Sequence, residues 1–172
     1  MKINFEDFVV RKCDLSHMDE ILKIQNETFA ELGERDILRE NSEEMLRACL
    51  MPPNLTLGAW YGDTLAAFAV LYFPFEEAEN LSLCLENINI EGLKVANAKL
   101  CIVRKPFRGN SLQYELGCKI EAYALEVGVK LLCATVSPDN TPSLNNIRRL
   151  GFSCNRQLSK YGSDRFLFYK YL

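Results

Sequence analysis

The segment Val103-Arg104-Lys105-Pro106-Phe107-Arg108-Gly109-Asn110-Ser111-Leu112-Gln113 gathers more chemistry than any other in this chain of 172 residues. Residues 100–103 are apolar and read as a buried strand. A short basic turn with a glycine follows, and a helical stripe starts at once. The first turn of a helix has backbone N–H groups without carbonyl partners and a partial positive charge, so such a junction suits a phosphate. Arg104, Lys105 and Arg108 add three cations within five residues, and no acid appears until Glu115. A ligand with a pyrophosphate and an extended neutral tail along the strand end would fit. A plainer use is also open: Asn110 and Gln113 have the spacing of a capping box, and the cations would then only solvate a turn. The glycines and lysine of dinucleotide and P-loop motifs are missing.

The elements that must hold this loop follow from periodicity. Residues 8–13 are a short apolar run. Ser16, with Glu20 nearby, could open an amphipathic helix over 17–32, where Ile21, Ile24, Thr28 and Leu32 recur at three and four. Ser42-Glu43-Glu44 starts a second helix to Leu50, stopped by Pro52-Pro53. Residues 55–61 and 65–73 read as a hairpin around Gly62-Asp63-Thr64, while the Asn-rich stretch 74–96 has no readable period. After the basic turn, Leu112, Leu116, Ile120, Tyr123 and Val127 form one stripe that Gly128 ends. Residues 131–136 are another buried strand, a helix opens near Pro142 and ends at Gly151, and 152–158 with 165–171 close as a hairpin. The order is β-α-α-β-β-β-α-β-α-β-β, an α/β single domain with a mixed sheet, parallel at the crossovers and antiparallel in the hairpins.

Composition narrows the class. The chain is 48% apolar and 25% charged, ordinary globular material, and its length suits one domain. No apolar run approaches the ~18 residues of a membrane span, and the start, Met1-Lys2-Ile3-Asn4-Phe5-Glu6-Asp7, has acids where a secretory signal would be apolar. A cytoplasmic protein is expected. The net charge of −3 hides a split: residues 1–98 carry 8 basic and 18 acidic side chains, and residues 99–172 carry 12 and 5. A pI near 5.3 argues against general nucleic-acid binding. The seven cysteines show no C-x-x-C and have only His17 as a histidine partner, so reduced, structural thiols and no metal are expected.

Val-x-x-x-Phe-Arg-Gly-Asn-x-Leu-Gln before a helix resembles the acetyl-coenzyme A (acetyl-CoA) loop of the GNAT superfamily of N-acetyltransferases, Gln/Arg-x-x-Gly-x-Gly/Ala. A second stretch, Thr135-Val136-Ser137-Pro138-Asp139-Asn140-Thr141-Pro142-Ser143 and then Leu150-Gly151-Phe152, resembles that family's strand, Asn-x-x-Ala/Ser turn, helix and Gly-Phe ending. The resemblance implies a GNAT-like domain over 1–172. The backbone of Cys101, Ile102 and Val103 would bind the pantetheine arm as an added strand. Arg108, Gly109, Asn110, Ser111, Leu112 and Gln113 would cradle the pyrophosphate, and Asn140 and Ser143 would touch the coenzyme from the next junction.

The implied reaction is transfer of an acetyl group from acetyl-CoA to a primary amine of a small molecule or peptide, by direct attack on the thioester with a strand N–H stabilising the oxyanion. Monomer and homodimer both remain open. Ser111 and Gln113 replace the pattern's Gly and Gly/Ala, and Ile147 stands where the family often has a tyrosine acid. Tyr114, Tyr123 and Tyr161 are candidate replacements, with Tyr123 better placed to pack on its stripe. Glu27, Glu31, Glu86 and Glu91 are candidate bases, and His17 reads as a surface residue. The acidic half would then favour a cationic acceptor. The rival is a binding or sensing module that keeps the coenzyme site without the chemistry.

Overall fold

Strand β2 (Leu55–Tyr61) and strand β3 (Thr64–Tyr72) form a hairpin whose residues are buried on both faces, so the centre of the molecule is a covered sheet. The computed structural model describes residues 2–172. Tyr61 already pairs with Thr64, so the turn is the two residues Gly62-Asp63, one shorter than expected, with Gly62 at φ +57°. Around this hairpin stand β1 (Val9–Cys13), β4 (Val95–Val103), β5 (Leu131–Val136), β6 (Ser153–Lys160) and β7 (Ser163–Tyr171). They make one seven-stranded sheet in the order β1-β2-β3-β4-β5-β7-β6. Only β4 and β5 run parallel among the described pairs. The element order is the one expected, completed by helices α1 (Met18–Leu32), α2 (Glu43–Cys49), α3 (Leu112–Glu126) and α4 (Thr141–Arg149).

The apolar stripes decide which face each helix covers. Ile21 and Ile24 of α1 and Leu46 of α2 pack with Phe68, Val70, Leu100 and Ile102 on one face. Leu112, Leu116 and Ile120 of α3 and Leu144 and Ile147 of α4 pack with Ala69, Leu71, Ala96 and Leu132 on the other. Each such buried side chain is worth roughly 1.5–3 kcal/mol relative to exposure. On α3, Gly117 allows close approach to α4: a Cβ there would stand 2.6 Å from Leu150 Cδ1.

Three details depart from the sequence reading. Helix α1 is preceded by a 3-10 turn, Leu15–His17, capped by the Asp14 carboxylate, which accepts from Ser16 N, so Ser16 is not the cap. Strand β4 begins at Val95, well before the apolar residues 100–103, because Asn97 and Lys99 are polar yet inward-facing. The stretch 74–94 holds two short 3-10 turns, Glu77–Glu79 and Leu81–Cys84. No described helix is long and apolar enough to cross a membrane.

Candidate functional site

Strands β4 and β5 share only three pairs, Val95–Leu131, Ala96–Leu132 and Asn97–Cys133. Beyond them β5 stays paired with β7 and β4 with β3, so the sheet opens like a V between its two parallel strands. A cavity of about 140 Å³ occupies the opening, lined from one face by Leu38, Arg39 and Lys99 and from the other by Gln113, Ile120 and Ile147. It therefore passes through the sheet. The β4 register also slips here: Val70 pairs with Leu100 and Leu71 with Ala98, leaving Lys99 as a bulge. Lys99 and Leu100 consequently face the same side, Lys99 over the Tyr72 ring at 4.8 Å and Leu100 in the α1–α2 core. A bulge re-aims the strand's backbone groups at this point.

The open edge of β4 runs into the basic loop. Arg104 N donates to Ala66 O (2.9 Å), a 3-10 turn spans Lys105–Phe107, and Gly109 and Ser111 take φ +82° and +59°. Left-handed backbone costs a non-glycine residue roughly 1–2 kcal/mol, which explains why a glycine suits this position better than Ser111. The capping box does not form. Asn110 Oδ1 accepts from Ile3 N (3.0 Å) and its Nδ2 donates to Phe107 O (3.0 Å). Gln113 reaches α4 instead, donating to Ser143 Oγ (3.0 Å) and accepting from Asn146 Nδ2 (2.9 Å). No side chain caps the α3 N-terminus.

The loop's arginines are already occupied. Arg104 Nε donates to Glu27 Oε2 at 2.8 Å, with Glu20 at 3.7 Å. Arg108 donates to Glu31 Oε2 (3.0 Å) and Val103 O (3.0 Å). Glu20, Glu27 and Glu31 lie at spacings of seven and four on α1, one face of a helix. Asn140 Oδ1 accepts from Ser143 N (3.2 Å) as the α4 cap, and its Nδ2 donates to Ile37 O (3.4 Å).

On the α1–α2 face the cavity wall is cationic. Lys99, only 6% exposed, donates to Glu79 Oε2 at 2.8 Å, and Arg39 makes two bonds to the same carboxylate at 2.8 and 3.0 Å. Burial raises the Glu79 pKa, but the hydrogen bonds and charges of Arg39 and Lys99 outweigh it and hold the carboxyl at about 2. Arg39 also stacks on Tyr161, 3.8 Å from the ring centroid. Tyr161 and Gly162 form the β6–β7 turn, both at positive φ (+58° and +81°), between the pair Lys160–Ser163. Such a turn favours Asn-Gly, so a tyrosine held there is strained, and Tyr161 lines the cavity. Burial first, with the Glu79 charge, pushes the phenol up to about 12. Arg165 on β7 completes the wall, and burial lowers its pKa from the ordinary value.

Residues 18–152 match the model of the acetyltransferase (GNAT) family. The chain belongs to this family. Solved structures with the same fold cover nearly all of this GNAT protein. A GNAT acetyltransferase from Listeria monocytogenes is 17% identical, covering 96% of this chain and 95% of that one at a TM-score of 0.72. Arabidopsis thaliana NAA60, crystallised in complex with acetyl-CoA, is 15% identical over 96% and 98% at 0.72. The ribosomal-protein-alanine N-acetyltransferase of Brucella melitensis is 17% identical over 95% and 99% at 0.70. Identities this low show a shared fold. No curated sequence matches the chain.

Within the GNAT protein the candidate residues separate clearly. Cys101, Gln113, Asn140, Ser143 and Tyr161 line the cavity, as does Ile147, while Ile102 packs in the α1–α2 core. Glu27 and Glu31 stand in ion pairs with the loop arginines, away from the cavity wall. Tyr114 lies outside it, under Arg149 at 3.6 Å, and Tyr123 lies under Lys12 at 5.0 Å. Glu86 pairs with Arg156, and Glu91 is exposed. His17 packs against Trp60 with the rings tilted and their centroids 5.4 Å apart. All seven cysteines are free, and burial pushes the Cys13, Cys101 and Cys133 thiols up to about 12. Arg39, Lys99 and Arg165 carried no sequence signal: each is one cation on a different element.

Proposed function

We propose that this GNAT protein, as one domain over residues 1–172, transfers an acetyl group from acetyl-CoA to a primary amine. The observation that carries this reading is the open β4 edge that leads from a bulge at Lys99 to an uncapped α3 N-terminus. An extended chain of amides ending in phosphates complements that surface. The pantetheine arm pairs with the backbone of Cys101, Ile102 and Val103. The pyrophosphate lies on the N–H groups of Gly109, Asn110, Ser111, Leu112 and Gln113, with Arg108 exchanging Glu31 for phosphate. Asn140 and Ser143 border the arm from α4.

The thioester carbonyl then sits beside the bulge, where a β4 N–H stabilises the oxyanion. A neutral amine attacks the carbonyl carbon, the C–N bond forms, and collapse breaks the C–S bond. The nitrogen releases its proton to water, the departing sulfur takes one from the Tyr161 hydroxyl, and solvent restores the phenol. Tyr161 thus does from the β6–β7 turn what Ile147 cannot do from α4. Its place on the cavity wall favours an enzyme over the non-catalytic module.

Two measurements test the reading. Titration calorimetry with acetyl-CoA is expected to give a micromolar Kd, weakened about tenfold in Arg108→Ala by loss of one charge-assisted contact. Thiol release from acetyl-CoA is expected with at least one amine of a mixed panel. Binding without release on any amine would favour the module, and no binding would remove the reading altogether.

A further inference from the structure

Several buried side-chain polar atoms in the described chain lack a hydrogen-bond partner, and those on the cavity wall belong to two residues: Asn41 Oδ1, and Arg165 Nε and Nη2. Such atoms are costly unless a ligand or water completes them. Arg165 is 3% exposed. Its Nε and Nη2 form one edge of the guanidinium, two parallel N–H donors spaced for the two oxygens of a carboxylate. Its ion-pair contact among the described residues, Asp36 Oδ1 at 3.6 Å from Nη2, is too long for a hydrogen bond, and Asp36 lies mostly in water. The nearby Arg39 and Lys99 share Glu79 and so present no unpartnered charge. Asn41 is the complement: its Nδ2 donates to Arg39 O (3.3 Å), which fixes the amide orientation and leaves Oδ1 as an acceptor.

We infer that the acceptor is a small amino acid, its carboxylate held by the Nε/Nη2 edge of Arg165 and its amine N–H received by Asn41 Oδ1. Both orphan groups line the cavity that also holds the β4 bulge, an arrangement that suits a carboxylate and an amine carried by one molecule. A cationic polyamine would meet Arg39, Lys99 and Arg165 and find no free carboxylate. This inference rests on the transferase reading above and names its substrate class.

The test is thiol release from acetyl-CoA with matched sets: each amino acid, its carboxamide and its decarboxylated amine, plus O-phosphoethanolamine. At least one amino acid is expected to exceed its amide and amine about 100-fold in kcat/KM, the effect of leaving a buried charged donor pair empty. In Arg165→Met that ratio falls to near one while acetyl-CoA binding by calorimetry stays unchanged, which a merely structural Arg165 would not produce. Arg165→Lys keeps the charge without the two-donor edge and is expected to lose about tenfold in KM with kcat retained. Asn41→Ala raises KM about tenfold for the acid and the amide alike. Amides or amines as good as the acids, no release with any amino acid, or preference for O-phosphoethanolamine each overturns the carboxylate subsite. If acetyl-CoA fails to bind, the transferase reading falls first and takes this one with it.

Discussion

Replacing Tyr161 with phenylalanine is expected to lower kcat about 100-fold while leaving the Kd for acetyl-CoA unchanged. The substitution keeps the ring on which Arg39 stacks at 3.8 Å and the positive-φ turn, so it removes the hydroxyl alone. A phenol pushed up to about 12 is fully protonated at neutral pH but donates reluctantly. In the proposed reaction its part is to hydrogen-bond to sulfur as negative charge grows there. A thiol of pKa near ~8.5 leaves with modest help, which places the effect at the low end of the 10²–10⁴ range for a positioned acid. Because the phenol titrates so high, wild-type kcat does not fall between about pH 7 and 10 through loss of this proton. Steady-state kinetics with calorimetry in parallel checks both statements. A kcat within about threefold of wild type would take Tyr161 out of the chemistry.

The second large effect is on stability. Glu79→Ala is expected to cost about 3–5 kcal/mol, because it leaves Lys99, 6% exposed, and Arg39 without their shared carboxylate. For a chain of this size that lowers Tm by roughly 10 °C. The pH dependence has a definite sign. The Glu79 pKa falls from the ordinary 4.5 to about 2 on folding. Its contribution is therefore complete above about pH 4.5 and drains away as pH falls toward 2. The gap in Tm between wild type and Glu79→Ala should be widest near neutrality and narrow in acid. Thermal melts from pH 7 to 3 measure it, and a gap that is small at pH 7 or indifferent to pH contradicts the account.

Legibility followed the range of the signals. Strand β5 and helix α4 were readable because their determinants are local: an unbroken apolar run over 131–136, Asn140 as cap, Pro142 in the first turn and Gly151 at φ +86°. The start of β4 was not, since Asn97 and Lys99 read as loop until Asn97 Nδ2 is seen bonded to Glu79 O and Lys99 to the Glu79 carboxylate. The orphan donors of Arg165 and acceptor of Asn41 lie on elements far apart in sequence, and no spacing brings them together.

The charge split changes meaning in the structure. Glu27 and Glu31 were expected to face a cationic acceptor, yet they stand in ion pairs with Arg104 and Arg108 and do not line the cavity. Part of the acidic half is thus matched to part of the basic half along the α1–loop seam. What remains at the cavity is the Arg39, Lys99 and Arg165 wall, on which the proposed amino-acid acceptor rests in place of the cationic one the totals suggested.

The central claim is that the unpaired edge of β4 receives the pantetheine arm, and amide hydrogen exchange reads that edge directly. On adding acetyl-CoA, residues 98–103 of β4 and the first turn of α3 are expected to slow markedly, while β1, β2 and β6 stay as they were. Protection that leaves 98–103 unchanged and appears elsewhere would contradict it.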